Sequence, residues 1–406
     1  MPADTRSSTS LCTIAAIIGA LGMIGPFAID ALFPAFPDMQ EELKTSETLM
    51  QQTLSVYMLC FGLMCLWHGP LSDRYGRKPV LLVALAVFVL ASWASVYAQS
   101  IEALLFWRAW QGFSAGAGTI IGRAIVRDVA TGAHAQRMMS QVTLVFALGP
   151  AIAPVLGGYL HEWAGWRSIY LFMLGFSLLV LLLTAWKLPE TLPASARQDF
   201  SFANSLKNYL EMSLNPRARW LVLAAGANFA ALFLVISASA AIVFEHLALG
   251  SKDFHYLFLP LIGGILLGSQ ISGLIAERLK PRKQVWLGYL IMSSSLALHF
   301  VVLSFGAQSY PWPILFMCSY GVGSSLAFPV LTIKLMDLFP ARRGAASSMQ
   351  TFVSLMLNCV VAGVAAPLLQ GSLWLLALGQ LVLMSAGLCA WLCYLRAASV
   401  MNGFRA

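Results

Sequence analysis

Long apolar runs, broken by short polar punctuation, repeat down the whole chain, and each is close to the ~20 residues that a helix needs to cross a hydrocarbon core. Read against glycine, proline and charge, the pattern gives twelve spans. The first six run approximately 11 to 33, 49 to 68, 79 to 98, 102 to 122, 138 to 160 and 168 to 187. The second six run approximately 220 to 244, 254 to 276, 284 to 304, 312 to 334, 345 to 369 and 373 to 395. The runs lack period-two alternation, so helices are expected rather than a barrel. The longest polar connection, Pro189 to Arg219, holds Pro193, Arg197, Asp199, Asn204, Lys207, Asn215, Pro216 and Arg217. It reads as a linker with one amphipathic surface helix carrying Phe202, Leu206, Tyr209 and Leu210. The expected organisation is a six-helix half over 1–188, a cytoplasmic linker over 189–219 and a second six-helix half over 220–406.

Composition supports lipid as the solvent. The 406 residues are 59% hydrophobic and 10% charged, where a soluble chain carries roughly a quarter charged residues. The fold class expected is therefore an all-α membrane protein. The seven cysteines, Cys12, Cys60, Cys65, Cys318, Cys359, Cys389 and Cys393, all lie in apolar runs, and none has metal spacing with histidine. A disulfide framework or metal site is not expected.

Charge sets the orientation. With the N-terminus inside, 21 of the 25 lysines and arginines fall in cytoplasmic segments, while Lys44, Arg167 and Lys252 fall outside and Arg108 falls within a span. Both termini are then cytoplasmic, and the net charge of +8 reflects topology rather than a nucleic-acid partner. The first span has only Arg6 ahead of it and lacks a small-residue cleavage site before further spans follow, so it is expected to be retained.

The densest charge lies in Gly69-Pro70-Leu71-Ser72-Asp73-Arg74-Tyr75-Gly76-Arg77-Lys78, expected as a tight hairpin between the second and third spans. A weaker copy, Gly273-Leu-Ile-Ala-Glu277-Arg278, follows the eighth span. Likewise Ala153-Pro154-Val-Leu-Gly157-Gly158 in the fifth span matches Ala366-Pro367-Leu-Leu-Gln370-Gly371 at nearly the same offset. Two such matches point to duplication of a six-helix unit, which places a substrate site near the midplane between the halves.

The G-x-L-x-D-R-x-G-R-K pattern from Gly69 to Lys78, within a 6+6 arrangement, resembles the major facilitator superfamily over essentially the whole chain. Arg108-Ala-Trp-Gln111-Gly112 resembles the R-x-x-Q-G signature of its drug:proton antiporters, and Ala147-Leu-Gly149-Pro150-Ala-Ile-Ala-Pro154-Val-Leu-Gly157-Gly158 resembles their antiporter signature. Ile29-Asp30-Ala-Leu-Phe-Pro34-Ala-Phe-Pro37, with Arg123-Ala-Ile-Val-Arg127-Asp128, is similar to the bicyclomycin and chloramphenicol resistance (Bcr/CflA) branch, although Leu32 stands where that branch has an aromatic.

The resemblance implies a role for the charged segment. Asp73 would cap the start of the eleventh span near Arg343 and Gly344, Arg77 would pair with Asp128, and with Gly69, Arg74 and Gly76 they would form a conformational latch. Gly69 is expected to allow close helix packing and Gly76 a tight turn. Anchorage of Arg74, Arg77 and Lys78 to anionic lipid is the competing reading.

Ionisable groups at membrane depth are costly and tend to be functional. Asp30, without a basic neighbour on its own turn, is placed to carry a proton; it would otherwise cap the outer end of the first span before Pro34. Arg108 could serve the same proton site or an anionic substrate group, or bond backbone carbonyls, or snorkel outward. Arg123 fits a cytoplasmic entrance or a lipid anchor. In the fifth span, Gly149, Pro150, Pro154, Gly157 and Gly158 predict a kink with close backbone approach, which in the family shapes the antiport cycle.

Substrate contact is expected from Tyr57, Phe61, Gln111, Arg123, Asn228, Phe233, Met336, Gln350 and Asn358. A greasy aromatic pocket with a few amides suits amphipathic organic molecules. Any one of them is more often ordinary helix packing than a ligand contact, and His299 is expected to be structural. No Walker loop is present.

Three readings follow. The first is a proton-coupled multidrug exporter working by alternating access in a bacterial inner membrane, a monomer with no cofactor beyond the proton gradient. The second is a dedicated exporter of an endogenous metabolite or siderophore. The third, a membrane enzyme or sensor, finds no nucleophile, metal cluster or cofactor loop in the sequence.

Overall fold

A computed structural model describes residues 11–130, 132–197, 201–276, 278–306 and 311–403. Arg6, Asp199, Glu277 and Arg405 lie outside the described residues. The first half contains α1 (Leu11–Asp30), α2 (Glu47–Tyr75), α3 (Arg77–Val96), α4 (Ile101–Val129), α5 (Gly132–Ala164) and α6 (Arg167–Lys187). The second contains α7 (Pro216–Ser237), α8 (Phe254–Ile275), α9 (Pro281–Ser304), α10 (Trp312–Leu338), α11 (Arg343–Val360) and α12 (Leu373–Gly403). Among the described residues, ten helices are long and apolar enough to span a membrane. Of the other two, α4 is diluted by Arg108, Gln111 and a Gly/Ser run.

Each half is built on the same contacts. α1 packs on α5, α2 on α4, α3 on both α4 and α6, and α1 also meets α6. The second half repeats this pattern as α7 on α11, α8 on α10, α9 on α10 and α12, and α7 on α12. The duplication legible in two short motifs thus extends to the whole packing scheme. The halves meet mainly through two helix pairs, α2 with α11 and α5 with α8. That leaves α1, α4, α7 and α10 around the middle, with most of α1 and α7 buried.

Several expected boundaries move, for identifiable reasons. α2 continues through Gly69 to Tyr75, so most of the expected hairpin is the last two turns of a helix. Charge alone does not break a helix. The break comes at Gly76, whose φ of 101° is open to glycine at little cost. α1 ends at Asp30, three residues early, because Pro34 follows; the chain continues as a 3₁₀ turn (Phe33–Ala35) and a short helix (Phe36–Glu42). The expected seventh span instead begins at Pro216, at the N1 position favoured by proline, with Asn215 Oδ1 accepting from the Arg217 and Ala218 amides. It ends at Ser237, and a helical turn and a π-turn (Ile242–His246) follow. The eleventh span also contains a π-turn, Val361–Ala365, ahead of Pro367. The linker carries the expected amphipathic helix, Phe202–Leu214.

Candidate functional site

The end of α1 is clamped by α5. A methyl group added at Gly157 would lie 2.0 Å from the Ala31 carbonyl oxygen, and one at Gly149 would lie 2.9 Å from Pro26 Cβ. Glycine is required at Gly157 because backbone meets backbone there. Pro26 sits inside α1, and Asp30 is its last residue, 5% exposed. Among the described residues, Asp30 forms no ion pair. A carboxyl group therefore sits at the terminus of a buried, proline-containing helix, seated on the glycine face of the fifth span. Gly158 faces the other half, with a methyl there 2.1 Å from the Ser251 carbonyl oxygen.

Arg108 lies elsewhere, between α2 and α4. It is fully buried; Nε donates to the Thr53 carbonyl at 3.1 Å and Nη1 to Gln111 Oε1 at 2.8 Å. Gln111 in turn donates to Ser92 Oγ at 2.9 Å. The guanidinium lies over the Tyr57 ring, while Arg108 Nη2, Tyr57 Oη and Tyr170 Oη have no partner among the described residues. Gly112 makes this approach possible, since a methyl there would be 2.2 Å from the Tyr57 carbonyl oxygen. Of the alternatives left open by the sequence, the structure places Arg108 on backbone and amide partners inside its own half. Phe61 packs on Tyr57 with ring centroids 5.9 Å apart. Tyr170 and Thr53 complete this cluster and were not singled out in the sequence; that they belong to it depends on which helices meet.

The remaining candidates scatter. Asn228 is buried and donates to Tyr289 Oη at 3.0 Å, within the second half. Gln350 donates to Thr332 Oγ1 at 2.8 Å, linking α11 to α10. Phe233 and Asn358 are buried and Met336 is partly buried. Arg123 is exposed, and its Nη1 lies 3.4 Å from Ser347 Oγ of α11. Phe229 and Phe328 stand 6.4 Å apart and are more exposed than their buried neighbours on α7 and α10. His299 lines a small cavity inside the second half with Tyr320, Ser295 and Gln380.

At the charged end of α2, Arg77 is the hub. It bonds Asp73 at 2.5 Å, Asp128 at 3.0 Å and Ser72 Oγ at 2.6 Å. Glu190 accepts from the Arg77 and Lys78 amides at 3.0 and 3.2 Å. Asp73 thus pairs within its own half, and the start of α11 has no side-chain cap. In this conformation Asp73 does not cap α11 as the resemblance implied. Arg74 stacks on Tyr75. Gly69 does not enforce close packing, since a methyl there would reach only 3.8 Å from Ile120; on α2 that role falls to Gly62, where a methyl would come within 3.2 Å of Leu355 Cβ.

The bonds between the halves are concentrated at the opposite end. Gln51 donates to the Ser237 carbonyl at 3.3 Å and to Gln370 at 3.4 Å, and Gln52 donates to the Gly363 carbonyl at 3.0 Å. Ser55 bonds the Cys359 carbonyl at 3.2 Å, and Gln370 reaches Glu47. Glu162 of α5 binds Ser251 and Lys252 ahead of α8. None of these residues was expected from the sequence to join the halves. The Gln51-Gln52 doublet in an apolar run was the available signal.

A family model described as Major Facilitator Superfamily matches residues 18–367. The chain belongs to the Major Facilitator Superfamily. It is 28% identical over 387 residues to multidrug resistance protein D of Escherichia coli, covering 93% of this chain and 94% of that one. It is 25% identical to a bicyclomycin resistance protein homolog of Haemophilus influenzae, covering 76% and 80%. Both names agree with the branch to which Ile29–Pro37 and Arg123–Asp128 pointed. The fold matches a D-xylose-proton symporter with a TM-score of 0.73 at 14% identity, over 94% of this chain and 97% of that one. This superfamily member is thus a twelve-helix transporter with two six-helix halves.

Proposed function

We propose that this transporter exports small amphipathic organic molecules in exchange for protons, by alternating access, and that its described conformation is the one closed to the outside. The observation that carries the reading is Asp30. It is a buried carboxyl without an ion-pair partner, held by glycine packing at the end of a helix that lies along the middle of the transporter. A proton on such a group offsets the cost of leaving it charged, so its occupancy can bias the two conformations.

The sides follow from charge. The Asp73 end carries most of the basic residues, which supports a cytoplasmic side for it and for both termini. The dense clasp around Gln51 and Gln370 is then the outer gate, shut. At the inner end the direct bond between α4 and α11 is the long Arg123 contact, consistent with an entrance facing the cytoplasm. Phe229 and Phe328, near the middle of α7 and α10, offer aromatic surface suited to drug-like compounds of the kind named for the resistance relatives. The dedicated-exporter reading would use Arg108 to select a carboxylate; its Nε and Nη1 are taken by Thr53 and Gln111, which leaves Nη2 alone for that role. In proteoliposomes, uptake of chloramphenicol, bicyclomycin and a panel of lipophilic cations should rise with an imposed pH gradient and collapse when the gradient is dissipated. Gradient-independent uptake would contradict the reading.

A further inference from the structure

The duplication pairs positions of the two halves, and two glycines fix the register. Gly112 brings α4 onto the Tyr57 carbonyl of α2; Gly321 brings α10 onto the Leu261 carbonyl of α8, where an added methyl would lie 2.9 Å from the oxygen. Counting back from each glycine pairs Gln111 with Tyr320 and Arg108 with Met317. The buried guanidinium that gives Gln111 its partner in the first half is therefore replaced in the second by a thioether, which has no proton to donate.

Beside that thioether lies a cavity. Its wall includes Ser295 and His299 of α9, Met317 and Tyr320 of α10 and Gln380 of α12, and every lining residue is at most 9% exposed. The space is thus shut off from bulk solvent and from lipid, with room for one water molecule.

Two polar atoms on this wall, His299 Nε2 and Tyr320 Oη, have no partner among the described residues. Ser295 Oγ is already committed, to the Phe316 carbonyl at 2.7 Å and Ser319 Oγ at 2.9 Å. Phe316 also stacks on the His299 ring, with centroids 5.7 Å apart, and so holds the imidazole in place. A buried hydroxyl and a buried imidazole nitrogen are each costly to leave unmade. The rest of the wall is mostly apolar and carries no carboxylate, so an ion would find nothing to balance its charge. The ligand that fits is small, neutral and able both to donate and to accept. A cavity lined by hydrocarbon alone stays dry, whereas one with roughly two to four polar partners holds water.

We propose that this cavity is a buried water site, in which one water donates to His299 Nε2 and accepts from the Tyr320 hydroxyl, with the Gln380 amide as a third polar group at the wall. The water fastens α9, α10 and α12 to one another, as Arg108 and Gln111 fasten α4 to α2 and α3 in the first half. One half is tied internally by a side-chain cation and the other by solvent.

The test is X-ray radiolytic footprinting of the full chain in nanodiscs prepared in heavy-oxygen water, where hydroxyl radicals form from bound water and oxidise the side chains beside it. Met317 and Tyr320 should take up label at several-fold the level of Met292 and Tyr289, which are buried outside the cavity. Equal labelling of the two pairs would overturn the proposal. Ala377→Leu enlarges a lining residue and should cut labelling at Met317 and Tyr320 several-fold while leaving Met292 unchanged. Undiminished labelling in that variant would show that radicals arrive by another route, and would also overturn it. Tyr320→Phe gives an independent reading. It should melt below the wild type, because the water loses its donor; melting at or above the wild type would show that the hydroxyl has no partner to lose. None of these readouts uses a pH gradient, so they succeed or fail separately from the proposed transport cycle.

Discussion

Arg108 holds its guanidinium carbon 4.3 Å from the centroid of the Tyr57 ring, inside a polar cluster with two kinds of member. Nε and Nη1 have partners, whereas Tyr57 Oη has none among the described residues. Removing each group should therefore have unequal consequences. Arg108→Ala strands the Thr53 carbonyl and Gln111, and should cost about 3 kcal/mol or more, since each charge-assisted bond contributes about 1.5–3 kcal/mol. Tyr57→Phe keeps the ring under the guanidinium and should cost under about 1 kcal/mol. Melting of the detergent-purified variants distinguishes them, and equal losses would show that the hydroxyl has a partner.

The glycines of α5 make a sharper packing prediction. Gly157→Ala drives a methyl into the Ala31 carbonyl, and overpacking of this kind costs about 1–3 kcal/mol, with more where backbone must move. Gly69→Ala meets open space at ordinary contact distance and should be near neutral. A large loss of folded yield at Gly69 together with tolerance at Gly157 would reverse the assignment.

The outer clasp predicts a cross-link. A Cβ built at Gly363 lies 3.2 Å from Ser55 Cβ, near the separation that a disulfide requires. Ser55→Cys with Gly363→Cys, in a chain carrying Cys359→Ser, should form a disulfide on mild oxidation. Transport should stop and return on reduction, because the bond joins two elements that must part for outward opening. Full transport by the oxidised, cross-linked protein would rule out opening at this seam.

Glu162 gives a pH prediction. Its side-chain bond to Lys252 holds that ammonium's pKa above the usual lysine range. A raised pKa in the folded state means the pair's contribution is present below about pH 10.4, the ordinary lysine value, and is lost as pH rises through the shifted value. Both side chains are solvent-accessible, so the effect on stability is small and screened by salt. Glu162→Gln should leave the melting temperature unchanged at neutral pH in physiological salt, and should flatten the fall in stability on the alkaline side. A large loss at neutral pH would show that the pair is a main fastening of the closed end.

Much of the fold was legible because hydrocarbon imposes one solution on long apolar runs: helices of a fixed minimum length. The duplication could be read from Gly69 and Ala153 and their later counterparts. The charged segment at Gly69 was misread as a loop because charge marks a membrane surface but does not end a helix; backbone geometry at Gly76 does. The site was less legible. Asp30 and Arg108 stood out as charges at depth, and Gly157 as part of a motif, yet that Gly157 seats the end of α1 depends on which helices meet. The same holds for Gln51 and Gln370, far apart in sequence, which gain their meaning as a pair only when α2 meets the segment after α11.

The central claim is proton coupling at Asp30, and Asp30→Asn in proteoliposomes tests it most directly. The substitution keeps the size and hydrogen-bonding capacity of the side chain and removes its ability to exchange a proton. Transport driven by a pH gradient should be lost, while exchange of labelled for unlabelled substrate without a gradient should persist, since the conformational cycle remains intact. Gradient-driven transport at the wild-type rate in Asp30→Asn would contradict the account.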